Sequence, residues 1–247
     1  MILRQFLHTD PVAVSYLFGC GGHAACAVVD PIGDIAPYLQ VAENTGMRIR
    51  FVIDTHIHAD HRSVGLALAR EAGAEYVLHS GAEVAFPFHA VKDGDQLPLG
   101  NVVVDVLHTP GHTPEHICLM VTDRTRADEP WFVLTGHTLM VGDVGRTELA
   151  ADAADGARTL FASLQSLKRL PDYIEVLPGA YAGSVCGRRL SGNPSSTIGF
   201  ERWHNAAFGI DAADAFVAFM LTDIPPSPVG AAELRAWNSG RHAAAAE

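Results

Sequence analysis

The stretch Asp54–His61, "DTHIHADH", packs five groups able to bind a metal or a proton into eight residues: Asp54, His56, His58, Asp60 and His61. It follows "IRFVI", a β-branched apolar run that reads as a strand. His56 and His58 are two apart, so on an extended strand end both imidazoles point the same way. Asp60 and His61 sit just beyond, where the chain turns toward a helix. Asp54 lies on the strand and is placed to orient a His ring through its second nitrogen. A polar turn or a helix cap accounts for Asp60 or Ser63, but not for three histidines. The segment is therefore read as a metal-binding loop.

Outward from this loop, short β-branched runs alternate with amphipathic stretches. "SYLFGC", "ACAVVD", "EYVLH", "VVVDVLHT", "HICLMVTD", "WFVLTG" and "YIEVLPG" read as further strands. The pattern becomes helical near Ile35–Glu43, Ser63–Ala72, Ala154–Leu170 and Ala212–Leu221. Strands and helices are mixed throughout, so the class is α/β or α+β. "TDIPPSPVG", Thr222–Gly230, reads as a connector. One domain over residues 1–240 is expected, with 241–247 a frayed tail. The polar candidates fall at the C-terminal ends of strands: His56 after "FVID", His112 after "VLHTP", His137 after "FVLTG", and Pro178–Ala180 after "IEVL". Four strand ends delivering such loops to one edge describe a single site on a rigid scaffold.

The whole chain narrows the function. Its 247 residues suffice to bury roughly three quarters of the unfolded surface. The formal charge is −11 and no basic cluster occurs, which disfavours nucleic acid as a partner. No run of 18 apolar residues is present, so no membrane association is expected. The N-terminus lacks the basic-then-apolar pattern of a secretory signal. Cys20, Cys26, Cys118 and Cys186 are scattered without a CxxC, as expected for reduced thiols in a cytoplasm. A small-molecule substrate fits this composition, and a homodimer is compatible with it.

"THIHADH" resembles the T-H-x-H-x-D-H signature of the metallo-β-lactamase fold. "TPGHTPEH", Thr109–His116, resembles the next motif, whose His ligand maps onto His112. "LTGHTLMVGDVGRTEL", Leu134–Leu149, resembles the T-G-D-x-L motif that supplies a metal-binding Asp. "LPGAYAGSVCGRRLSGNPSSTIGFERWHN", Leu177–Asn205, is similar to a segment of the bacterial persulfide dioxygenase branch, often fused to a rhodanese domain that does not follow here. The resemblance covers about Ser15–Gly240. It implies an αββα sandwich of two mixed sheets with helices on both outer faces.

Two positions depart from the family pattern, and both concern ligands. His137 stands where the family has Asp, and Ala180 where it has His. In the binuclear hydrolases of the fold that Asp bridges two ions and the His holds the second. A neutral imidazole does not bridge as a carboxylate does, and Ala180 offers no ligand. One transition-metal ion per chain is therefore expected, held by His56, His112 and His137, with His58 nearby as a fourth candidate. Fe(II) is favoured by likeness to the mononuclear dioxygenases, and Zn²⁺ on three imidazoles is the rival.

Three further residues are assigned to chemistry. Asp60 belongs to the depleted second site, with His61 beside it as a supporting residue, and is expected to serve catalysis. Arg146, in the loop that lines the substrate channel of the resembled family, is a candidate anion clamp. Cys186 is placed in the substrate pocket, its thiol activated by Arg188 or Arg189. His108 and His116 flank His112 as positioning or helix-start residues. The reaction these assignments imply is oxidation of a thiol persulfide, such as glutathione persulfide, to sulfite with O₂. The alternatives are a zinc hydrolase of a thioester or lactone, and a non-catalytic binding protein with a decayed site.

Overall fold

Period-2 alternation in the strands sorts their side chains between apolar layers. The computed structural model describes residues 1–150 and 152–241. In it, Ile2–Thr9 (β1), Val12–Cys20 (β2), Ala25–Val29 (β3), Arg48–Ile53 (β4), Glu75–His79 (β5) and His89–Val91 (β6) form one sheet in that spatial order. Gln96–Leu99 (β7), Val102–His108 (β8), Ile117–Asp123 (β9) and Phe132–Gly136 (β10) belong to a second sheet. After a small hairpin of Leu139–Met140 (β11) and Asp143–Val144 (β12), Glu175–Pro178 (β13) and Ser196–Thr197 (β14) complete it, in the order β14-β13-β10-β9-β8-β7. Both large sheets are mixed: β3-β4-β5-β6 run parallel in the first, and β10-β13 in the second.

The helices are Ala36–Asn44 (α1), Gly65–Ala72 (α2), Ala153–Lys168 (α3), Ile198–His204 (α4), Ala213–Leu221 (α5) and Ala231–Asn238 (α6). Asp152 caps α3 by accepting from the amides of Ala154 and Asp155. Gly73 ends α2 in the left-handed conformation. Alternate residues then build three layers of core. Tyr16, Phe18, Phe51, Ile53, Leu119 and Leu134 meet between the sheets. Leu17, Val28 and Val52 face the other way, against α1 and α2. Cys118, Val133 and Val176 pack under α3 and α5. The result is the expected sandwich of two mixed sheets flanked by helices.

The four helical stretches expected from sequence appear as α1, α2, α3 and α5. β1 was not anticipated, because "ILRQFLHT" carries polar residues and sits half exposed at a sheet edge. Of the expected tail 241–247, residues 242–247 lie outside the described residues. Among the described residues, no helix is long and apolar enough to cross a membrane.

One polar seam ties the sheets together beside the loop edge. The buried Tyr16 hydroxyl, on β2, donates to the Pro178 carbonyl at 2.7 Å. The Val14 amide donates to the Gly179 carbonyl at 2.8 Å. Tyr16→Phe leaves the packing intact but strips that carbonyl of its side-chain donor. It should cost about 1–2 kcal/mol, read as a lower urea midpoint at unchanged slope.

Candidate metal centre

Three loops bring the histidines together. His56 follows β4 of the first sheet, His112 lies in the turn between β8 and β9, and His137 follows β10 of the second. Their ring centroids stand 4.8 Å (His56–His112), 4.8 Å (His56–His137) and 5.0 Å (His112–His137) apart. One ring nitrogen from each falls within 4.8 Å of the others, and all three side chains are buried. The chain reaches this arrangement through Gly136, at φ +48°. A Cβ there would lie 2.6 Å from Nε2 of His116 and 2.7 Å from Oγ1 of Thr55, so only glycine fits. Gly145 is equally confined, since its Cβ would meet the His137 carbonyl at 2.2 Å.

Hydrogen bonds fix which nitrogens face inward. His112 donates from Nδ1 to the Arg146 carbonyl at 2.7 Å, leaving the Nε2 lone pair for the centre. Thr55 donates its hydroxyl to Asp30 at 2.9 Å and accepts from Nδ1 of His56 at 2.9 Å, so Nε2 of His56 is free. His116 is not a ligand. Its Nε2 accepts from the His137 amide at 3.0 Å, and its Nδ1 meets the hydroxyls of Thr109 and Thr138. Burial pushes His112 down to about 3 and His137 to about 4, and drives His56 well below the usual imidazole range. All three rings are therefore neutral, with lone pairs available.

A second group lies alongside. His58, Asp60 and His61 bring one ligand atom each within 4.8 Å. His58 differs electrostatically from the other three. Burial pulls its pKa down, but the Asp30 and Asp60 carboxylates beside it hold it well above the usual range. Its Nε2 reaches Asp30 at 3.2 Å. Against the penalty of burial, the neighbouring His61 and His58 keep Asp60 well below the usual carboxylate range.

These groups suit a cation. Nε2 of His56, Nδ1 of His58, both oxygens of Asp60, both nitrogens of His61 and Nε2 of His137 are buried with no hydrogen-bond partner. Leaving one such atom unsatisfied costs roughly 1–3 kcal/mol. So many orphaned lone pairs side by side are the signature of a metal-binding pocket rather than a decayed core.

A clasp holds the 56–63 loop from outside. Asn238, on α6, donates to the carbonyls of His58 and His61 at 2.9 and 2.7 Å, and accepts from the Ser63 amide at 2.9 Å. Arg235 donates to the Ile57 carbonyl at 3.1 Å, while Glu115 accepts from the Ile57 amide at 2.9 Å. A cleft of about 450 Å³ opens beside this clasp, between Ile57, Pro114, Glu115, Leu149, Arg235 and Arg241. It abuts the loop, although no ligand imidazole lines it.

The structure corrects three sequence assignments. Asp54 orients no histidine: it accepts from Ser63 at 2.5 Å and Tyr76 at 2.7 Å, pinning the turn into α2. The orienting carboxylate is Asp30, at the end of the neighbouring parallel strand β3. Arg146 is no anion clamp. Its buried guanidinium is spent on Glu148 and on the carbonyls of Val185, Pro225 and Pro226. Cys186 is not paired with Arg188, whose guanidinium donates to the carbonyls of Phe219 and Thr222. Burial, then the Asp60 carboxylate, push its thiol well above the usual range. Asp30, Thr55, Glu115 and Asn238 were not foreseen. An Asp closing the adjacent "AVVD" strand was the one available signal, whereas Asn238 in "AWNSG" carries none.

Two outcomes follow. With ring pKa values near 3 and 4, protons do not compete for His112 and His137 until the pH falls to about 4. Metal content measured after dialysis should therefore hold from pH 7 to about 5. Release centred near 6.5, the ordinary imidazole value, would contradict the assigned burial. Asn238→Ala should weaken metal binding roughly 10-fold in chelator competition, the low end for outer-sphere losses, with an unchanged circular dichroism spectrum.

Comparison with known proteins accords with this geometry. Residues 9–179 match the family model described as the metallo-beta-lactamase superfamily. A hydroxyacylglutathione hydrolase from Polaromonas sp. is 32% identical over 169 residues, covering 67% of this chain; the chain spans 60% of that relative's length. The mitochondrial persulfide dioxygenase ETHE1 of Homo sapiens is 25% identical over 210 residues, covering 82% of this chain and 79% of the relative. The crystal structure of a metallo-beta-lactamase from Staphylococcus aureus superposes with a TM-score of 0.91 at 34% identity, covering 98% of this chain and 73% of that one. The matched family segment includes all three convergent histidines, and this chain belongs to the metallo-β-lactamase superfamily.

Proposed function

We propose that the chain is a mononuclear non-haem iron persulfide dioxygenase, with His56, His112 and His137 as ligands of the catalytic ion. One observation carries the reading: three neutral imidazoles converge in a chain whose position 180, where the binuclear hydrolases of the resembled fold have a ligand, is a buried Ala. The comparisons include relatives of both kinds: the persulfide dioxygenase covers 82% of this chain and a hydroxyacylglutathione hydrolase from Rhodospirillum rubrum covers 87%. The "GSVCGRR" and "PSSTIGFE" stretches that resemble the dioxygenase branch lie beyond the family match at residue 179.

When bound, Fe(II) would supply O₂ activation and a positive centre for an anionic sulfur. The protein's own residues provide the rest. Thr55 with Asp30, and the Arg146 carbonyl, lock the His56 and His112 rings, so neither reorients during turnover. The adjoining cleft, where Arg235 and Arg241 stand paired with Glu115 and Glu83, is where a thiol carrier such as glutathione would lie. The net reaction balances as RSS⁻ + O₂ + H₂O giving RS⁻ + SO₃²⁻ + 2H⁺. The protons would leave to solvent, and Asp60, beside His61 and His137, would serve catalysis by orienting groups at the ion.

The second reading is a zinc hydrolase of a glutathione thioester. The same Asp60 carboxylate favours it, since a base there would serve a metal-bound water. Anaerobically purified protein, reconstituted separately with Fe(II) and Zn²⁺, separates the two. The iron form should consume one O₂ per sulfite formed from glutathione persulfide, and His112→Ala should abolish this together with metal binding. Thioester cleavage by the zinc form, with no sulfite from the iron form, would overturn the dioxygenase reading.

A further inference from the structure

A second cavity of about 450 Å³ shares no lining residue with the cleft at Ile57. Its size is within the ~300–1,000 Å³ range of small-molecule sites. The walls are apolar: Leu66 from α2, Tyr76 from β5, Phe86, and Trp237 from α6. The Tyr76 and Phe86 rings lie with centroids 5.8 Å apart. Backbone holds the rim, where the Ala85 amide donates to the Ser239 carbonyl at 2.8 Å. A Cβ at Gly240 would lie 2.9 Å from the Phe86 ring, so the chain closes tightly there. Two charged side chains, Arg62 and Arg70, line the cavity, and no carboxylate does. Both are exposed. Cζ of Arg62 sits 4.1 Å from the centroid of the Trp237 ring, a cation–π contact that leaves its charge without a counter-ion. Arg70 has no ion-pair or hydrogen-bond partner among the described residues. In a chain of net charge −11, two guanidiniums without a carboxylate partner at one apolar cavity are matched to an anion.

We propose that this cavity binds an amphipathic monocarboxylate and that its occupant steadies the 56–63 loop. The alkyl or aryl body lies against Leu66, Tyr76, Phe86 and Trp237, and the carboxylate is held by Arg62 and Arg70. Apolar burial supplies most of the affinity, and the guanidiniums select the charge. The coupling to the loop runs through two other lining residues, Ser63 and Asn238. Asn238 holds the carbonyls of His58 and His61 and accepts from the Ser63 amide. An apolar body over Asn238 removes water that competes for those carbonyls. Arg62 directly follows His61, so fixing its guanidinium also fixes the chain beside the loop histidines. By reciprocity, bound metal must then tighten the carboxylate by the same factor as the carboxylate tightens the metal. The inference does not rest on the dioxygenase reading, because no step of either reaction passes through this cavity.

The test is calorimetric titration of the metal-loaded full chain with octanoate, with octanol as the neutral control. Octanoate should bind at one site per chain, and octanol at least about 10-fold more weakly, the loss expected of a charge-assisted pair. Arg62→Ala and Arg70→Ala should each weaken octanoate about 10-fold with an unchanged circular dichroism spectrum. Arg48→Ala, at an exposed arginine outside the cavity, should not. In chelator competition, saturating octanoate should tighten metal retention about 5-fold, the low end for coupled sites. The double variant Arg62→Ala, Arg70→Ala should lose that response. No octanoate binding, octanol binding as tightly as octanoate, or binding unchanged in the double variant would overturn the site. The last result would put the carboxylate on the ion or in the cleft at Arg235. Binding without any change in metal retention would overturn the coupling. A wild-type dimer in sedimentation that Arg62→Ala dissociates would give the face to a second copy of the chain and overturn the proposal. The octanol comparison uses the wild type alone, so a misfolded variant does not decide the answer.

Discussion

Everything near the centre answers to one constraint: several imidazoles and a carboxylate are buried in contact, and each must be kept in a chosen protonation state without water. Neutral rings tolerate burial far better than charged ones, and the fold enforces neutrality where a lone pair is wanted. His56 and His112 each spend one nitrogen on an oxygen held by the scaffold. The opposite treatment of His58, flanked by Asp30 and Asp60, leaves a ring that must lose a proton before it can bind a metal. Two classes of histidine thus sit within one loop of eight residues, distinguished by a carboxylate from a neighbouring strand.

The fold was largely legible because its signals are local. Period-2 runs, strand-end histidines and four amphipathic helices follow from residue order alone, and they locate the loops that carry His56, His112 and His137. The failures share a cause too. Asp54 and Asp30 are both strand-end aspartates, and only the parallel pairing of β3 with β4 decides which one reaches an imidazole. Arg146 looks free in sequence, but its donors are claimed by a proline-rich connector nearly eighty residues away. Asn238 is invisible because its partners are backbone carbonyls, which leave no trace in residue identity. Long-range hydrogen bonding, rather than pattern, was the missing information.

The departures at positions 137 and 180 also read differently in three dimensions. Viewed as residue types, they subtract a bridging carboxylate and a ligand. Viewed as geometry, an imidazole carries two donor atoms pointing in opposite directions, and His137 has both of them in contact with ligand groups. Loss of a short bridge does not by itself make a centre simpler; it changes the spacing at which ligand groups are held apart.

His56 comes from the first sheet, whereas His112 and His137 come from the second. An ion on these three rings is therefore a rivet through the sandwich, joining two half-shells that otherwise meet mainly through apolar contact. Binding to the folded state alone adds about 2.7 kcal/mol when free metal stands at 100 times its dissociation constant. The two sheets would then open as one cooperative unit, and the lifetime of the protein would follow the availability of metal in its surroundings.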